Sequence, residues 1–168
     1  MSISVEPQSV ALGLGSNLGD RLATLQGAVD LLVASGLLHE VRVSPVYETE
    51  PVGGPEQGPY LNAVLVATST ATPLELLGRA YVVETAFDRE RTERWGARTL
   101  DVDLLAVGEV VSADPLLTLP HPRAHERAFV LVPWHDVDPD GDVAGLGSVA
   151  ALAAAHLATP DVRRIDDA

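Results

Sequence analysis

The chain is predicted to fold as an α+β domain. Its core would be a ferredoxin-like βαββαβ unit with an antiparallel sheet and helices on one face, followed by a short extra hairpin and C-terminal helices. Three observations carry this. Apolar runs and helical spacings alternate in the order strand, helix, strand, strand, helix, strand. The 168 residues suit one domain. Apolar residues make up 46% and charged residues 21%, globular usage that argues against disorder.

Val10–Leu14 is a short apolar run closed by Gly15-Ser16-Asn17, which reads as a buried strand and a turn. Asn17 or Asp20 can cap the next element. Leu22, Leu25, Val29, Leu32 and Val33 recur at helical spacing, predicting a helix from about residue 20 to about 35 that stops at Gly36. Val41, Val43, Val46 and Tyr47 alternate with polar residues and predict a second strand. Glu50–Pro59 holds three prolines and three glycines, so it is a loop, and a long one for so small a domain. Such loops are often functional. Tyr60–Thr68 predicts a third strand. Thr72-Pro73 opens a second helix, with an apolar face of Leu74, Leu77, Ala80, Tyr81 and Phe87. Residues 88–99 form a charged connector. Leu100–Val107 alternates and predicts a fourth strand, with Gly108-Glu109 turning the chain into Val110-Val111. Leu116–Leu119 is a short apolar run before Pro120-His121-Pro122. Ala124–Val132 predicts a helix closed by Pro133. Pro139–Gly147 reads as a loop, Ser148–Leu157 as an Ala-rich helix and the rest as a polar tail. The whole of 1–168 is taken as a single domain, with a core of about 9–158.

Composition excludes several functions. Twenty-four acidic residues face 11 basic ones, all arginine, for a net charge of −13. Non-specific nucleic-acid binding needs clustered cations, so no nucleic-acid partner is expected. An anionic membrane surface is an equally poor partner. There is no cysteine, which removes disulfides, thiol nucleophiles and iron–sulfur clusters. The first nine residues show no signal-peptide pattern and no apolar run reaches membrane length, so a cytoplasmic location is expected.

The most informative stretch is 89–103. Arg89, Arg91, Arg94 and Arg98 lie within ten residues, around Trp95 and Gly96, and lead into Asp101-Val102-Asp103. On a strand, Asp101 and Asp103 point to one face. Two converging carboxylates repel unless a cation lies between them, and Mg²⁺ takes one or two carboxylates while keeping water and phosphate oxygens. Arginines beside such an ion suit phosphate. Alone, the DxD fits a solvated sheet face and the Arg run a solvated helix end. Their adjacency points to phosphoryl transfer, where positioning and charge neutralisation carry the catalysis.

A second group is Pro120-His121-Pro122-Arg123 with Arg127 and Phe129; if Ala124 onward is helical, Arg123 and Arg127 share a face. A third is Tyr47–Gly53 with Tyr60 and Asn62. A Pro/Gly loop beside Tyr60 and Asn62 can hold a flat heterocycle, because an amide side chain and open backbone groups offer paired donors and acceptors. Gly13-Leu14-Gly15-Ser16 follows a strand but lacks GxGxxG or a Walker lysine, so it is a weak phosphate loop or only a tight turn.

Five blocks together resemble one family. They are Leu14–Arg21, Tyr47–Gly53, Tyr60–Ala63, Arg94–Leu105 and Leu119–Leu131. In this order, from about residue 10 to about 140, they closely resemble the 6-hydroxymethyl-7,8-dihydropterin pyrophosphokinases of folate biosynthesis. The Arg-Trp-Gly-x-Arg-Thr-Leu-Asp-Val-Asp block is the most specific. The resemblance implies a ferredoxin-like monomer that moves the β,γ-pyrophosphoryl group of ATP to the pterin hydroxymethyl oxygen and releases AMP. It implies two Mg²⁺ ions on Asp101 and Asp103, and phosphate contacts from Arg89 or Arg91, Arg98, His121 and Arg127. It implies pterin contacts from Thr49, Pro51, Val52, Gly53, Tyr60, Asn62, Trp95 and Phe129, and places Glu84 near the adenosine end. Asp88-Arg89, Tyr81, Ala97 and Pro122 depart from the family's usual residues, and Arg89 and Arg91 remain alternatives for one phosphate role. Loops 50–60 and 88–98, poor in apolar anchors, are expected to be mobile without ligand. Two other readings compete: a non-catalytic sensor domain, which has no use for Asp101 and Asp103 beside Arg98, and an RNA-binding domain, which the acidic charge and missing stacking aromatics oppose.

Overall fold

The computed structural model describes residues 6–50, 58–87 and 99–165. Its elements run β1 (Gln8–Ser16), α1 (Arg21–Ala34), β2 (His39–Val43), β3 (Tyr47–Thr49), β4 (Tyr60–Ser69), α2 (Pro73–Phe87), β5 (Asp101–Val107), β6 (Ser112–Asp114), β7 (Leu117–Leu119), a 3₁₀ turn (Ala124–Glu126), α3 (Ala128–Val137), β8 (Asp142–Val143), β9 (Gly147–Ser148), α4 (Val149–Ala153) and β10 (Val162–Arg164). The main sheet has the order β10-β3-β4-β1-β5, with β2 also paired to β4. Its pairings among the described residues are all antiparallel. The β3-β4-β1-β5 part is the predicted βαββαβ core.

Alternation on β1 divides the molecule. Val10, Leu12 and Leu14 face α1 and α2, where they pack with Leu25, Leu32, Leu65, Val83, Val102 and Leu104. Ala11 faces the other way, into a second core with Val64, Val66, Leu105, Leu131 and Trp134. The two core helices therefore share one face of the sheet, as expected, and the C-terminal helices α3 and α4 cover the other. The reason is legible in β4, which is buried along both sides instead of alternating. Each fully buried Leu in these cores contributes about 1.5–3 kcal/mol of burial free energy.

Local chemistry sets the helix ends. The Asp20 carboxylate accepts the Ala23 amide at 3.1 Å and caps α1. Thr72 and Glu75 form a reciprocal capping box at α2, each backbone amide donating to the other's side chain at 3.1 Å. The buried face of α2 is Leu76, Ala80 and Val83; Leu74 and Tyr81, expected inside, are exposed. α1 is shifted in the same way, burying Thr24, Leu25, Ala28 and Leu32.

Several boundaries differ from expectation. The second strand is two, broken at Ser44-Pro45, where the Ser44 hydroxyl accepts the Val64 amide at 2.9 Å and Pro45 has no amide to donate. The hairpin after β5 forms from β6 and β7, not at Val110-Val111. The helix expected over Ala124–Val132 is a 3₁₀ turn, an extended Arg127 and then α3, which continues through Pro133. Burial of Val130, Leu131, Val132 and Trp134 outweighs the roughly 3 kcal/mol that an interior proline costs. α4 ends at Ala153, short of the expected Leu157. β8 and β9 pair across the end of the expected 139–147 loop, with Ser148 opposite Asp142. The polar tail contributes β10, whose Val162, Arg163 and Arg164 pair with Thr49, Glu48 and Tyr47. The Tyr47 hydroxyl also donates to Asp136 of α3. Burial, followed by that carboxylate, pushes the phenol up to about 12.

Candidate active site

The register of the sheet assembles the site. Asn62 of β4 stands opposite Gly15 of β1, and Gly15 stands opposite Asp101 of β5. One step along, Val64, Gly13 and Asp103 make a second row. Residues directly opposite in a ladder share a face. Asp101 and Asp103 therefore project from the α3 face, with two glycines beside them. Leu12 and Leu14 point to the opposite core, so the Gly13-x-Gly15 spacing puts both missing side chains under the same depression.

That depression is a cavity of about 520 Å³. Its floor is Gly13 and Gly15, with Asp101 and Asp103 on one flank and Thr49, Glu50, Tyr60 and Asn62 on the other. Arg123, Arg127 and Phe129 line it from the segment entering α3. The Arg127 guanidinium lies over the Phe129 ring, 5.5 Å from its centroid. Thr159, Asp161 and Val162 line it as well.

Two arrangements in the cavity are specific. The Asn62 amide, buried, donates through Nδ2 to Thr49 Oγ1 at 2.7 Å. Its Oδ1 occupies the space above Gly15, 2.8 Å from where a Cβ would stand. Only glycine leaves that room. His121 is anchored by its amide, which donates to Leu105 O at 2.8 Å on β5. The Arg123 amide donates to His121 Nδ1 at 3.2 Å, which leaves the proton of a neutral ring on Nε2. Burial pushes this imidazole below its ordinary 6.5; Asp103 pulls it up, while Arg127 and Arg123 push it down.

The cavity thus has an acidic flank, a rim on which Arg123 and Arg127 bracket Glu126, and an amide-bearing wall. No group of three or more His, Cys, Asp or Glu side chains able to hold a metal occurs among the described residues. Two carboxylates on one strand face form an incomplete set, which suits a hard cation that completes its shell with water and phosphate oxygens.

Of the site residues expected from sequence, Thr49, Tyr60, Asn62, Asp101, Asp103, Arg127 and Phe129 line one cavity, and His121 interacts electrostatically with Asp103 and Arg127. Glu84 does not line it. Its carboxylate accepts the Val102 amide at 2.9 Å and ties α2 to β5 from the opposite face. Pro51, Val52, Gly53, Arg89, Arg91, Trp95 and Arg98 lie outside the described residues, as does most of both loops expected to be mobile. Gly13 and Gly15, which read in sequence as a weak phosphate loop or a turn, form the floor of the site; their i, i+2 spacing on a strand is the signal that could have found them. Thr159, Asp161 and Val162 carry no such signal.

The family model for 7,8-dihydro-6-hydroxymethylpterin-pyrophosphokinase (HPPK) matches residues 11–139. A 2-amino-4-hydroxy-6-hydroxymethyldihydropteridine pyrophosphokinase of Mycobacterium tuberculosis is 49% identical over 148 residues, covering 82% of this chain and 77% of that one. A protein of the same name from Methylorubrum extorquens is 42% identical over 142 residues, covering 84% and 90%. Among solved structures, wild-type Plasmodium falciparum HPPK-DHPS has the same fold, with a TM-score of 0.71 at 14% identity over 98% of this chain. This chain spans about half of that protein, 49% of its length. Sequence blocks, sheet register and relatives agree, and the chain belongs to the 7,8-dihydro-6-hydroxymethylpterin-pyrophosphokinase family.

Proposed function

We propose that this chain transfers the β,γ-pyrophosphoryl group of ATP to the hydroxymethyl oxygen of 6-hydroxymethyl-7,8-dihydropterin, in folate biosynthesis. The pterin oxygen forms a bond to the β-phosphorus as its hydroxyl O–H bond breaks and the proton passes to water. The bond from that phosphorus to the oxygen bridging the α-phosphate breaks, and AMP departs with the electron pair. The observation that carries this reading is the row Asn62–Gly15–Asp101: a recognition amide and a carboxylate pair on one face of the sheet, in one cavity.

Each described residue has a task. Thr49 fixes the Asn62 amide, leaving its Oδ1 to accept from a heterocycle N–H. Phe129 offers a ring face for stacking, under the Arg127 guanidinium. Arg127, Arg123 and the Nε2–H of His121 supply donors to phosphate oxygens. Asp101 and Asp103 would hold Mg²⁺, two ions by the family resemblance, and the ions neutralise the triphosphate. Arg98 and either Arg89 or Arg91 complete the phosphate contacts, and Trp95, Pro51, Val52 and Gly53 the pterin side. A monomer is the working unit that the family resemblance implies. No helix among the described residues is long and apolar enough to cross a membrane.

The test is AMP release from ATP. Release should require both Mg²⁺ and the reduced pterin. Release of AMP without pterin, or none with both present, overturns the reading. A sensor domain would bind pterin with no turnover and no demand for Mg²⁺ in ATP binding, which calorimetry separates.

A further inference from the structure

β10 lies beyond the residues matched by the family model, which end at 139. It nonetheless forms the outer edge of the sheet beside Thr49, with Val162 directly opposite that residue. Thr49 is the residue that holds the Asn62 amide.

Four charged groups link this edge to the heterocycle wall. Arg163 Nη2 of β10 lies 3.0 Å from Glu48 Oε1 and 3.4 Å from Glu50 Oε1. The second oxygen of Glu48 lies 3.5 Å from Arg21 Nη2, at the start of α1. Arg21 Nη1 also donates to the Pro59 carbonyl at 2.8 Å, one residue before β4 begins. Glu48 is thus shared by two guanidiniums, and the two residues flanking Thr49 are both held by Arg163. Glu48 lies across the sheet from the cavity, because it alternates with Tyr47 and Thr49, while Glu50 lines the cavity mouth beside Thr49. Arg163, Glu48 and Arg21 do not line the cavity, so the proposed chemistry does not need them to touch substrate.

We infer that Arg163 is a positioning residue for heterocycle recognition: through Glu48 and Glu50, with Arg21 as the opposing anchor, it fixes β3 and so the Thr49–Asn62 pair. The inference rests on the proposed pterin site. It assigns a role to the last strand of the chain and makes pterin affinity, not nucleotide affinity, depend on it. Arg163 is more than half exposed, so the effect is of the size exposed charge clusters reach.

The experiment measures KM for pterin and for ATP, with kcat, in wild type, Arg163→Ala, Arg163→Lys, Glu48→Gln and the Arg163→Ala/Glu48→Gln pair. Arg163→Ala is expected to raise the pterin KM about three- to fivefold, with ATP KM and kcat within twofold. Lysine should restore part, since both contacts run through one nitrogen, Nη2, and an ammonium keeps that charge on a shorter side chain. The double variant should be no worse than the poorer single variant, because both remove one network. Added salt should raise the wild-type pterin KM and leave that of Arg163→Ala flat. Equal rises in both KM values, additive effects, or an unchanged pterin KM would overturn the role. If wild type itself shows no pterin-dependent AMP release, the proposed function fails instead, and the two failures are distinguishable.

Discussion

Gly15→Ala tests whether the glycine on β1 is there to seat the recognition amide. A Cβ at this position would stand 2.8 Å from Asn62 Oδ1, while ordinary contact begins near 3.4 Å, so the amide must retreat by about 0.6 Å (3.4 less 2.8). It has little freedom to do so. Asn62 is only 7% exposed, and its Nδ2 is held at 2.7 Å by Thr49. Gly15 on β1 and Thr49 on β3 flank Asn62 from opposite sides, so a retreat of that size drives the amide against Thr49 and deforms or breaks the bond unless the strands also shift. Losing the bond costs about 0.5–1.5 kcal/mol, and overpacking a tight site costs about 1–3 kcal/mol. A combined loss of about 2 kcal/mol corresponds to roughly a 30-fold weaker pterin complex if the strain falls on the amide. Gly13→Ala is the control. Its Cβ would meet Leu105 at 3.5 Å, an ordinary contact, and a strain-free Gly→Ala change can even stabilise by about 0.4–1 kcal/mol. Calorimetric titration with pterin and thermal melting of both variants decide the matter. A Gly15→Ala protein that binds pterin within twofold of wild type at an unchanged Tm refutes the argument, as does a Gly13→Ala protein that melts lower than Gly15→Ala.

Three further outcomes are expected. Asp101→Asn and Asp103→Asn should each cut turnover at least about a hundredfold in the AMP-release assay while leaving the fold intact by circular dichroism; full turnover in both removes the metal assignment. His121, held below its ordinary 6.5, is protonated more readily in the unfolded chain, so its contribution to stability is present above about pH 6.5 and lost as pH falls below it. Bound triphosphate should raise its titration, and an NMR titration that does not move on adding Mg²⁺ and a non-hydrolysable ATP analogue counts against a phosphate contact. Leu65→Ala should lose about 2–5 kcal/mol by chemical denaturation, since Leu65 is fully buried on β4; a loss under about 1 kcal/mol means the core relaxes around it.

The parts of this fold that are legible in the sequence are those where one short-range pattern dictates the outcome. The capping box at Thr72–Glu75 is an example, and so is the Asp101-Val102-Asp103 alternation, whose carboxylates share a face on β5 as expected. The illegible parts depend on partners distant in sequence. Whether α2 buries Leu74 and Tyr81 or Leu76 and Val83 depends on how the helix is rotated against β5 and α1. β4 reads as an ordinary strand, and only the second core reveals why it is apolar on both sides. Pro133 reads as a stop signal, yet tertiary burial carries α3 through it. Val162–Arg164 is too short and too charged to announce a strand, and it becomes one because β3 presents an open edge. The site divides in the same way. Asp101, Asn62 and Phe129 stand out by chemical type, whereas Gly15 has no side chain to notice, and its importance lies in what Asn62 places above it.

The row Asn62–Gly15–Asp101 also sets a length. The amide and the carboxylate are two strand spacings apart, about 10 Å. That interval is fixed by the main-chain hydrogen bonds of the sheet, which no single substitution rewrites. The sheet acts as a ruler, with a strand that lacks side chains at the reading point as its graduation. Side-chain changes at either end can alter how tightly each substrate is held. Under the proposed reaction they would leave unchanged the length of substrate that brings a reacting oxygen to the phosphate end, so a heterocycle with a longer arm would bind and yet present its oxygen out of register.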